Sequence, residues 1–218
     1  MNQTKIFLID YWNQQENDNL QDYQQFNINS KSDSGVDALM YCFLNNIKIS
    51  IKQMDYLLIH SDLQHISSTN YNALMYALEN NTFLTKTQWA GLINKSRLLL
   101  RGVDGENALT LALKSICYHN LENIDISKII NKIDFSKLKD EQFLRDVCDC
   151  IDEYVKCLPL FFNCLKNNEK KKFIDFIEQN NEKKYNNLIN SSEVVSFKEM
   201  SILKENINVL KDSKLIKL

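Results

Sequence analysis

Asn72-Ala73-Leu74-Met75-Tyr76-Ala77-Leu78 is the stretch that decides how this chain reads, because its pattern occurs three times at one spacing. Asp37-Ala38-Leu39-Met40-Tyr41 precedes it by 35 residues, and Asn107-Ala108-Leu109-Thr110-Leu111 follows it by 35. A fixed period of this size marks a stacked-repeat protein, in which each unit buries its apolar face only against a neighbour. Stacked helical repeats build binding surfaces, so the period bounds the function more closely than any catalytic motif here.

Working outward, the set Ala38, Leu39, Cys42, Phe43 returns as Ala73, Leu74, Ala77, Leu78 and as Ala108, Leu109, Ala112, Leu113. Spacings of one, three and four define one face of a short helix. Its small first and third slots admit a neighbouring helix at close range. Asp37, Asn72 and Asn107 stand just ahead, where a short polar side chain accepts from a free backbone N–H. Two residues earlier come Gly35, Asn70 and Gly105, all types that enter the left-handed conformation a turn requires. Asn46 and Asn81 suit a left-handed C-cap after the helix. A second helix then carries Gln53, Met54, Leu57, Leu58 and, one period on, Gln88, Trp89, Leu92, Ile93. Ile129 and Ile130 fill its last two slots in the third unit, after a two-residue insertion. Leu63, Leu98 and Phe135 close the units, and Ile28 falls at the same phase one period earlier.

Over residues 28–136 this pattern resembles the ankyrin repeat, most closely the divergent bacterial variety with an Asn-Ala-Leu-Met-Tyr-Ala-Leu phrase. Asp37, Asn72 and Asn107 stand at that family's Thr, the three alanines at its Pro and the three leucines at its Leu. Met40, Met75 and Thr110 replace its His, and Asn46 and Asn81 replace a glycine. The resemblance implies a turn, two antiparallel helices and a projecting loop per unit, with the first helices lining a concave side. Another helix-pair solenoid is the alternative.

Composition agrees with helices. One Pro and four Gly in 218 residues argue against an all-β chain with many tight turns. Hydrophobic content of 44% is ordinary for a globular domain. A net charge of -2 gives no pull toward nucleic acid or acidic lipid. Ile6–Ile9 is too short for a signal peptide or a membrane span, so the expected compartment is the cytoplasm, with export by a signal-less secretion system left open. Six cysteines in that setting read as reduced thiols.

The expected fold is all-α: an ankyrin-like helix-pair solenoid over 28–136, an N-terminal helical cap over 1–27, and a C-terminal helical cap or small bundle over 137–218. In the N-terminal cap, Ile6, Phe7, Ile9, Tyr11 and Trp12 suggest one helix, with Leu20 and Tyr23 on a second. Beyond Phe135, Asp140 can cap a helix through Val155, which Pro159 breaks near 156–158. Further helices are expected over 160–166, 170–178 and 197–210.

The expected activity is non-enzymatic binding of a protein partner, and the resemblance implies the setting of a bacterial host-interacting or regulatory protein. The flanks of Tyr41 and Tyr76 face inward, which tilts both tyrosines toward an exposed side of the first helix as partner anchors. Loop tips would add His65 and Tyr71 in one unit, and Arg101 and Asp104 in the next. Trp89 lies at a core phase. Two other readings share the scaffold or the C-terminal half: an immunity or antitoxin-type binder, and a small enzyme with its site around 146–164. That segment holds Asp146, Asp149, Asp152 and Glu153, which read as a solvated helix face. It also holds Cys148, Cys150, Cys157 and Cys164, whose steps suit small core residues better than a zinc set. No phosphate loop, nucleophile elbow or His-Glu-x-x-His occurs. No cofactor or metal is expected.

Overall fold

A computed structural model describes residues 27–119, 125–133, 135, 141–153, 157–180 and 185–212. Every regular element among them is a helix: α1 (Ala38–Leu44), α2 (Ile51–His60), α3 (Ala73–Glu79), α4 (Lys86–Lys95), α5 (Ala108–His119), α6 (Ile126–Ile133), α7 (Glu141–Glu153), α8 (Leu158–Cys164), α9 (Asn167–Asn180), α10 (Asn186–Ile189) and α11 (Ser192–Asp212). The chain is all-α over this range. None of these helices is long and apolar enough to cross a membrane.

The three repeated helices start in one way. Asp37 Oδ1 accepts from Met40 N at 2.9 Å, Asn72 Oδ1 from Met75 N at 3.0 Å, and Asn107 Oδ1 from Thr110 N at 3.0 Å. Each bond satisfies one of the donors that a helix N-terminus leaves free. α1 and α3 also end alike. Asn46 and Asn81 take φ of 50° and 51°, while Asn45 and Asn80 donate side-chain N–H groups to the carbonyls of Tyr41 and Tyr76. α2 and α4 open with capping boxes, Ser50 with Gln53 and Thr85 with Gln88, in which each side chain bonds the other residue's backbone N–H. Pro159 sits in the first turn of α8, where its missing N–H costs nothing, so α7 ends before it.

Packing follows two columns. α1 lies on α3, α3 on α5, α5 on α7 and α7 on α9; beside them α2 lies on α4, α4 on α6, α6 on α8 and α8 on α11. Ala38, Ala73 and Ala108 are 1%, 1% and 0% exposed, so the repeated small slot is buried in all three units. Leu39, Leu74, Leu109 and the second-helix residues Trp89, Leu92, Ile93, Ile129 and Ile130 complete one continuous core. The repeated phrase ends with the third unit, yet α7 and α8 extend both columns.

One cysteine reading is corrected. Cys117 and Cys157 form a disulfide with Cα atoms 6.6 Å apart, because stacking carries the end of α5 against the residue that opens α8. Cys42, Cys148, Cys150 and Cys164 stay outside the disulfide as thiols, the first three buried. The N-terminal helices expected from Ile6–Trp12 and Leu20–Tyr23, the cap at Asp140 and Val155 lie outside the described residues, as does the His119 side chain.

Candidate functional site

Between units the chain makes the same turn three times. Ser32 N donates to Val36 O, Ser67 N to Tyr71 O and Gly102 N to Glu106 O, at 3.0, 2.9 and 2.8 Å. Gly35, Asn70 and Gly105 hold φ of 72°, 61° and 88° at the corner, as these residue types permit. Successive turns are tied edge to edge: Ser68 N donates to Ser34 O at 2.9 Å and Val103 N to Thr69 O at 3.2 Å. The turns therefore form a ladder along the stack, and this ladder fixes where turn side chains point.

His65 is part of that ladder. Its ring is half-buried, with Nε2 2.6 Å from Gly35 O and Nδ1 2.9 Å from Lys31 Nζ, so it joins consecutive turns. Tyr41 is half-buried and packs on the core from α1. Two tyrosines depart from the exposure expected of them. Tyr76 is only 6% exposed, because the preceding turn folds over it: its hydroxyl donates to Ser67 Oγ at 3.0 Å and shares a hydrogen bond with Thr69 Oγ1 at 3.1 Å. Tyr71 is 4% exposed, its ring against Tyr76 and over Gly102, where any β-carbon would overlap it. Substitution Gly102→Ala is accordingly expected to destabilise the protein by about 1–3 kcal/mol, read from urea unfolding.

The Tyr71 hydroxyl leads to the site. It donates to Glu106 Oε2, and Lys114 Nζ donates to Glu106 Oε1 at 2.9 Å. Beside them the guanidinium of Arg101 contacts Asp146 through Nε at 2.7 Å, and Gln142 Nε2 bonds the same carboxylate at 2.9 Å. Tyr185 Oη donates to Asp149 Oδ1 at 2.6 Å. The third turn, α5 and α7 thus enclose a groove of about 210 Å³. Its walls carry five carboxylates (Asp104, Glu106, Asp146, Asp149 and Glu153) against the two cations Arg101 and Lys114. Of the residues read from sequence as partner contacts, Arg101 and Asp104 line this groove, Tyr71 supports it from beneath, and Tyr41, Tyr76 and His65 lie elsewhere.

The charges hold one another. Burial alone would raise Glu106, but the Tyr71 hydroxyl and the Lys114 ammonium outweigh it and keep that carboxyl below its ordinary range. Burial would likewise lower Lys114, whereas the hydrogen bond and charge of Glu106 hold it above its usual value. Tyr71 is pushed upward by burial and then by Glu106. Burial chiefly lifts the Cys150 thiol to about 12, so it is a neutral wall residue whose S–H donates to Thr110 O at 3.6 Å. Among the described residues no His, Cys, Asp and Glu side chains group to hold a metal.

Glu79, at the end of α3, is raised by partial burial and by the charges of Glu106 and Asp104, against a lowering from Lys114. A folded-state value above the unfolded one means that the charged form is penalised in the fold. The penalty is absent below the carboxylate range and complete once pH has risen through it. Glu79→Gln is therefore expected to stabilise the protein at pH 7 by a few tenths of a kcal/mol (about 0.3, given solvent screening), with the gain vanishing near pH 3. Thermal melts at both pH values check this.

Sequence reading passed over Glu106 and Lys114 and placed Asp146 and Asp149 on a solvated face. The spacing of Tyr71 to Glu106, one full period, was the available signal. No protein-family model matches the chain, and neither does a curated protein or a solved structure.

Proposed function

We propose that this chain is an ankyrin-like solenoid that binds a protein partner without catalysing a reaction, using the turn tips and the groove above α5 and α7. The ladder of identical turns carries this reading. It is supported by caps, left-handed corners and turn-to-turn backbone bonds that recur at one step, the construction by which repeat arrays hold loops on a rigid frame. The excess of carboxylates in the groove favours a partner whose docking segment is basic, with Arg101 and Lys114 fixing its register. A regulatory, host-directed or immunity-type binder would use the same surface.

The test is affinity capture from the source cell with the wild type and with an Asp104→Lys, Glu153→Lys variant. Both positions are exposed, and circular dichroism checks that the variant is folded. The expected result is a protein retained by the wild type and lost by the variant. Retention of the same proteins by both would place binding elsewhere.

A further inference from the structure

The other ends of α1 and α3 present a second surface that the groove does not explain. The connectors 45–50 and 80–85, which link first to second helix in adjacent units, run side by side and enclose a cleft of about 530 Å³. Its rim is apolar and open to water: Phe83 is 79% exposed and Ile51 61%, with Ile47 and Ile49 half-buried between them. An exposed phenylalanine beside three isoleucines is an uncovered patch of the kind that marks interaction sites.

The charge around it points to what covers it. Lys48 lines the cleft, and Lys52 and Lys86 follow immediately on its wall residues Ile51 and Thr85. All three lysines are exposed, and none pairs with a carboxylate among the described residues. The nearest acid in sequence, Asp55, is bonded by Gln88 Nε2 at 2.7 Å. We infer that the cleft between connectors 45–50 and 80–85 docks an acidic, apolar segment of a partner protein. The segment seats a large apolar side chain beside Phe83 and sets its carboxylates against Lys48, Lys52 and Lys86. This site is separate from the acidic groove and of opposite charge.

The experiment uses the full chain and three fluorescein-labelled peptides in which leucine alternates with glutamate, with lysine or with glutamine. The Leu/Glu peptide is expected to bind saturably, more weakly as salt is raised, and about tenfold more weakly to Phe83→Ala. A Lys48→Glu, Lys52→Glu, Lys86→Glu variant is expected to prefer the Leu/Lys peptide. Circular dichroism checks that each variant is folded, and Ile51→Ser provides a second apolar truncation, expected to act in the same direction. Equal binding of all three peptides, no saturable binding below about 1 mM, or indifference to both apolar truncations would overturn the inference. So would dimerisation of the chain, or binding to phosphatidylserine vesicles, that Phe83→Ala abolishes while the Leu/Glu peptide fails to bind.

Discussion

Trp89→Ala is expected to destabilise the protein by about 3–5 kcal/mol, close to the whole stability of many domains. Trp89 is 1% exposed and the largest fully buried side chain among the described residues. It lies in α4, which packs against both α2 and α6, so its removal opens a void between stacked helices rather than at an edge. Its indole N–H has no partner among the described residues. Trp89→Phe removes that orphan donor along with some volume, and the two effects oppose each other. The phenylalanine variant should therefore lose about 2 kcal/mol less than the alanine variant. Urea unfolding followed by circular dichroism separates them, and equal losses would mean that the site is not tightly packed.

Asn72→Ala should follow closely, at about 2–4 kcal/mol, because one side chain does two things. Its carbonyl caps α3 through Met75 N, a bond whose loss costs about 1 kcal/mol. Its amide donates to Arg97 O at 2.8 Å in the next connecting loop, and truncation leaves that carbonyl unpaired at about 1–3 kcal/mol more. Asn107 caps α5 in the same manner, but its amide nitrogen has no partner among the described residues. Asn107→Ala should thus cost at least about 1 kcal/mol less than Asn72→Ala. Matched thermal melts of the two variants give the comparison; an equal or reversed order would show that the bond to Arg97 contributes little.

What sequence reveals here follows from what repeats. Gly35, Asn70 and Gly105, like Asn46 and Asn81, were legible because a backbone at positive φ admits few residue types, and those types recur in phase. The alanines and leucines of α1, α3 and α5 were legible because a buried helix face has a fixed period. Side-chain exposure at the flanks was not. Tyr41 and Tyr76 occupy the same slot, yet Tyr76 is covered by a turn whose Ser67 and Thr69 hydroxyls bond it, while Tyr41 is half-buried. Periodicity places a residue on a helix but does not say what folds over it. The groove was half legible. Arg101 and Asp104 stood out as loop residues, but Asp146 lies 45 residues from Arg101, and no pattern within one unit announces such a pair. The Cys117–Cys157 disulfide was hidden for the same reason, since it joins consecutive units outside the 35-residue phase.

The stack itself can be tested by lengthening it. Duplicating residues 70–104 in tandem inserts one whole period and joins Asp104 to Asn70, which stands in the phase of Gly105. If units pack only on their neighbours at a constant step, the longer chain should fold, with unchanged helicity per residue and a melting temperature equal to or above the parent's. Duplicating residues 70–97, which stops seven residues short of a period, should yield an unfolded or aggregated chain. Collapse of the full-period variant, or equal tolerance of both insertions, would contradict a stacked array.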